Sequence, residues 1–126
     1  MPEHNDKFNS IMPQTTDKVL CIEVDRVISA EGYAENFLPR AKEMIARHGE
    51  LRVLVNYKNF KGWEAEAAKM DMMAAANMGK HLKKAALVNP PKSEIFQRKM
   101  KDAIMSGEFK FFNEDEFDRA LTWVSE

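Results

Sequence analysis

Leu51-Arg52-Val53-Leu54-Val55-Asn56-Tyr57 decides the fold. Val53, Leu54 and Val55 are apolar in succession, without the alternation of a strand that has one wet face. A short run of this kind reads as a central strand buried on both faces. Upstream, Tyr33, Phe37, Ala41, Met44, Ile45 and His48 recur at spacings of three and four, which gives a helix with one apolar face. Ser29 is its N-cap, Glu31 favours its first turn, and Gly49 is a left-handed stop. Pro39 predicts a kink near Glu35 or Asn36. Downstream, Trp63 to Lys80 is rich in Ala, Glu, Lys and Met, all strong helix formers. The stretch is therefore a strand between two helices.

The same alternation extends in both directions. Val19-Leu20-Cys21-Ile22-Glu23-Val24 reads as an earlier strand, and Phe8 to Met12 as a weaker first or edge strand. Asn59 to Gly62 reads as a loop. Ala85-Ala86-Leu87-Val88 is another short buried strand, closed by Asn89-Pro90-Pro91. A helix from Lys92 or Ser93 offers Ile95, Phe96, Met100, Ala103 and Ile104 as its apolar face, and Ser106-Gly107 stops it. Phe109 to Phe112 is a last strand. Asn113 caps a final helix whose buried stripe is Phe117, Ala120, Leu121 and Val124. The prediction is an α/β fold of order ββαβαβαβα. It has a mixed, mainly parallel sheet of four to five strands and about four helices.

Bulk composition narrows the function classes. The chain has 126 residues, 44% hydrophobic and 31% charged, which suits one globular domain. Residues 1–6 read as a disordered lead-in and 7–126 as the domain. With 19 basic and 20 acidic residues, the net charge of −1 offers no long-range attraction for nucleic acid or anionic membranes. The single cysteine, Cys21, lies in a strand and reads as an inert buried thiol. No metal-site spacing, cofactor motif or transmembrane segment is present, and a reducing cytoplasm is the expected location. His4, His48 and His81 have no partners at triad or metal-pair spacing, so no catalytic residue is assigned. The Lys80, Lys83 and Lys84 cluster reads as a solvated helix end.

In its order of elements the chain resembles the SpoIIAA-like domains, a branch of the STAS group related to sporulation anti-sigma-factor antagonists. The resemblance runs from about Phe8 to Glu126. It rests on Ala30-Glu31-Gly32-Tyr33, Phe37-Leu38-Pro39, His48 to Val55, Phe60-Lys61-Gly62-Trp63, and the closing Phe111-Phe112, Glu114-Asp115-Glu116 and Ala120-Leu121-Thr122-Trp123. It implies the SpoIIAA-like fold, which also resembles the lipid-binding CRAL-TRIO core, and a regulatory module that binds proteins. The chain departs from the antagonists at one place. They carry a phosphorylatable serine after the central strand, whereas Asn56 to Glu64 contains no Ser or Thr. A phosphate switch needs that hydroxyl.

Two binding surfaces stand out. Tyr57, Asn59, Lys61 and Trp63 follow the central strand, where open α/β sheets form ligand crevices and a helix N-terminus welcomes an anion. The plainer reading is that Phe60 and Trp63 anchor the next helix. Met70 and Met73 belong to a helix whose apolar coverage exceeds one narrow stripe. Flexible thioethers suit an adaptable surface for a protein, a second copy of the chain in a homodimer, or an apolar small molecule such as a lipid. They also serve as gap fillers in a core. The expected role is thus non-catalytic binding of a protein partner, with a lipid or other apolar ligand between the second and third helices as the alternative.

Overall fold

The computed structural model describes residues 10–126. A five-stranded sheet runs in chain order: β1 (Ser10–Ile11), β2 (Leu20–Ile28), β3 (Leu51–Trp63), β4 (Leu82–Val88) and β5 (Glu108–Phe112). β1 pairs antiparallel with β2, and the other neighbours are parallel. After β2 come α1 (Ala30–Gly32), a π-turn (Tyr33–Phe37) and α2 (Leu38–His48), which together form one interrupted helix. Then follow α3 (Ala65–Met78), α4 (Lys92–Met100) and α5 (Phe117–Ser125). The strand and helix order is the one read from the sequence. The expected lead-in, residues 1–6, lies outside the described residues.

Local chemistry explains the boundaries. The Ser29 hydroxyl accepts the Gly32 amide at 3.0 Å and starts α1. The π-turn covers Glu35 and Asn36, and Pro39 sits at the start of α2, where its missing N–H costs nothing. Gly49, at φ 77°, ends α2 in the left-handed region. At α5, the Glu116 carboxylate accepts the Asn113 amide at 2.8 Å.

Alternation along the strands divides the core. Ile22, Val55, Leu87 and Phe111 lie in register across four strands and face α1 to α4. Cys21, Leu54 and Ala86 face the other way, against Ala120 and Val124 of α5. Two basic side chains cap the end of α5. Arg52 Nη1 donates to the Val124 carbonyl at 2.8 Å and Lys84 Nζ to the Trp123 carbonyl at 3.0 Å. Cations suit carbonyls at a helix C-terminus. Lys84 is therefore half-buried over the Trp123 ring and is not part of a solvated helix end.

Two other sequence expectations are corrected. Asn59 to Gly62 is not a loop, because β3 continues to Trp63. Asn59, Phe60 and Lys61 stand opposite the single Arg26 in a wide bulge between the pairs Asp25–Lys58 and Val27–Gly62. Arg26, Asn59 and Gly62 have φ of 68°, 52° and 121°. Turn-forming residues here bend a strand instead of ending it. α3 accordingly starts at Ala65, after Trp63. α4 is rotated relative to its apolar pattern: Glu94 and Arg98 are buried, while Phe96, Met100 and Ile104 are 64%, 67% and 46% exposed.

Gly107 and Gly49 both adopt positive φ, but only Gly107 is crowded. A Cβ at Gly107 would lie 2.3 Å from the Leu82 carbonyl oxygen, whereas at Gly49 it would meet nothing within 4 Å. Urea denaturation should show Gly107→Ala losing about 3 kcal/mol or more and Gly49→Ala only about 1–2 kcal/mol. Equal losses would contradict this account.

Candidate functional site

A cavity of about 160 Å³ lies between the helix-side face of the sheet and the layer of the π-turn, α3 and α4. Its floor is Val24, Val53, Val55 and Ala85, and its roof includes Ala74 and Ala75 of α3. The space follows from those alanines. A helix that presents methyl groups to a sheet leaves room that Leu or Phe would fill.

Polar groups gather at one side of this apolar space. Tyr33, in the π-turn, donates its hydroxyl to Asp71 Oδ1 of α3 at 2.6 Å, and Lys101 pairs with Asp71 Oδ2. Tyr57 donates to Glu94 Oε1 at 2.9 Å, and the Trp63 indole N–H donates to Glu94 Oε2 at 2.9 Å. Both oxygens of each carboxylate are thus occupied. Arg98 is 6% exposed, and its three guanidinium nitrogens make no hydrogen bond. Asp102 lies 3.9 Å away, beyond hydrogen-bond range, and its side chain is 63% exposed. The Phe109 ring covers one side, with its centre 4.1 Å from Cζ. Burial lowers the Arg98 pKa from its ordinary value, and Asp102 opposes this in part.

The structure brings Tyr57 and Trp63 to the cavity. Asn59 and Lys61 are exposed on the bulge, away from it. Met70 is half-buried against the main core, and Met73 is 60% exposed. The anion site expected at the start of the second helical region is not formed as imagined. Those residues are strand, and Glu64 turns its carboxylate onto the Ala30 amide at 2.9 Å.

Sequence reasoning missed Tyr33, Asp71, Glu94, Arg98 and Lys101 as site residues. Two signals were present: an aspartate inside a Met- and Ala-rich helix, and Glu94 and Arg98 one helical turn apart. Among the described residues, no group of three or more His, Cys, Asp or Glu could hold a metal ion. Nor is any helix among them long and apolar enough to cross a membrane.

The family model described as SpoIIAA-like matches residues 19–125. The chain belongs to the SpoIIAA-like family. A crystal structure from Shewanella loihica PV-4, of an uncharacterized DUF3478-family protein with a SpoIIAA-like fold, is similar to it. The TM-score is 0.65 at 26% identity, over 92% of this chain and 91% of that one. No match was found among curated proteins. This SpoIIAA-like chain joins a mainly parallel sheet to helices. The cavity described above lies within the matched residues.

The site has a pH signature. Tyr33 and Tyr57 are the chain's two tyrosines. Burial raises both phenol pKa values above the ordinary 10.0, and the adjoining charges, Asp71 for Tyr33 and Glu94 for Tyr57, raise them further. Below that value folded and unfolded chains are both protonated, and the full contribution to stability is present. Above it the unfolded chain loses protons that the folded chain retains, so stability falls as pH rises. Absorbance at about 295 nm should show almost no tyrosinate in the folded protein at about pH 11, with ionisation coinciding with loss of structure. Free titration of either tyrosine near pH 10 in folded protein would contradict the burial.

Proposed function

We propose that this SpoIIAA-like chain is a non-catalytic binding module whose ligand is a small apolar molecule held between the sheet and α3. The observation that carries this reading is the cavity of about 160 Å³, apolar on most sides and edged by aligned Tyr, Trp and charged groups. Ligand sites have this character: mostly apolar walls with a few placed polar groups. The volume matches cavities of about 150 Å³ that take up benzene-sized molecules. It does not suit a long acyl chain. Catalysis is not proposed, because both carboxylates at the cavity are fully engaged with Tyr, Trp and Lys donors. A phosphoserine switch is not proposed either, since Asn56 to Glu64 contains no Ser or Thr and forms strand and bulge.

Native mass spectrometry after gentle purification should show a small adduct, or a benzene-sized neutral probe should bind saturably. Ala74→Leu fills the space and should weaken binding at least about tenfold while changing stability by less than about 1.5 kcal/mol. Absence of both adduct and probe binding in the wild type would sink the reading.

A second reading, self-association or docking of a protein, has a separate observation behind it. Met72 and Met73 of α3 and Phe96 and Met100 of α4 are 50%, 60%, 64% and 67% exposed. Large exposed apolar side chains mark interaction surfaces when they group together. If they bury a homodimer contact, sedimentation equilibrium should show a dimer that Phe96→Ser converts to monomer. A wild-type monomer at every concentration tested would eliminate the homodimer.

A further inference from the structure

We propose that Arg98 anchors the carboxylate of a small ligand whose apolar body fills the cavity. This rests on the preceding reading that the cavity holds a ligand, and it names the ligand's class. Arg98 is 6% exposed and lines the cavity, yet none of its three nitrogens has a hydrogen-bond partner. An ionised side chain held dry without a hydrogen bond is costly, and such groups are found where a ligand or reaction uses them. The two carboxylates at the cavity are already engaged. Both oxygens of Asp71 and both oxygens of Glu94 already accept hydrogen bonds. Lys101, the other cation lining the cavity, is already paired with Asp71, whereas Arg98 has no hydrogen-bond partner.

The geometry narrows the partner further. A guanidinium presents paired N–H donors in a plane, which match the two oxygens of a carboxylate. The Phe109 ring covers one face of the Arg98 guanidinium, and Arg98 is also part of the cavity lining. Two carboxylates, Asp71 and Glu94, already line the space, so a dianion such as a phosphate monoester meets more repulsion than a monoanion. The cavity of about 160 Å³ limits the apolar part to about the size of a benzene ring or a short alkyl chain. The class is therefore a small aryl or short-chain carboxylic acid.

Calorimetric titration of the full chain at neutral pH tests this with two matched pairs: phenylacetate against phenylacetamide, and hexanoate against hexanamide. Each acid should bind at least about tenfold more tightly than its amide, a difference of about 1.4 kcal/mol. Arg98→Met keeps an apolar stem against Phe109 and should erase the acid's advantage while amide binding persists. Equal binding of acid and amide by the wild type overturns the role of Arg98 and leaves the cavity reading intact. So does an acid preference that survives Arg98→Met. If neither pair nor a neutral benzene-sized probe binds, both readings fall. The wild-type comparison decides the matter even if Arg98→Met does not fold.

Discussion

Four parallel strands lie side by side in chain order, β2 to β5, and that order constrains everything built on them. Crossovers of one hand between neighbouring strands place every connecting helix on the same face. The helix formed by α1 and α2, then α3 and α4, therefore form one layer, and α5 covers the other face alone. On the α5 side the fit is close, with Ala120 and Val124 fully buried. On the crowded side, complete filling would require large residues on every helix. α3 instead supplies Ala67, Ala74 and Ala75. The cavity is where the helical layer fails to reach the sheet.

Polar side chains at the edge of that space also hold the layer together. Asp71 links the π-turn, through Tyr33, to the turn after α4, through Lys101. Glu94 links α4 to β3 through Tyr57 and Trp63. Away from water these bonds gain strength, and any unpaired member costs more. The orientation of α4 follows. Its charged face turns inward because β3 offers a phenol and an indole N–H there, both neutral donors aimed at one carboxylate. Phe96 and Met100 are left outside as a consequence.

The bulge in β3 places Trp63 beside this network. Arg26, Asn59 and Gly62 accept left-handed backbone so that the strand can bend and still pair with β2. Trp63 then reaches both Glu94 and the cavity. Without the bend, the residues after Tyr57 would continue along the sheet edge as ordinary strand.

Much of the architecture was legible in the sequence because it depends on local signals. Val53-Leu54-Val55 and Ala85 to Val88 are apolar without alternation, as strands covered on both faces must be. Ser29, Gly49 and Asn113 mark helix ends through their own backbone and side-chain chemistry. α4 could not be read this way. It carries two stripes at helical spacing, Glu94 with Arg98 and Phe96 with Met100. Periodicity alone favours the apolar stripe as the buried one. Only the tertiary structure decided the reverse, because the groups that make Glu94 stable indoors lie 31 and 37 positions away in sequence. The same holds for the site as a whole. By itself the sequence determined a SpoIIAA-like α/β order and placed Tyr57 and Trp63 near the end of its central strand. Packing decided that they face a cavity with a buried Arg98 that makes no hydrogen bond, because a void and an unmet hydrogen-bond donor are properties of how distant segments meet.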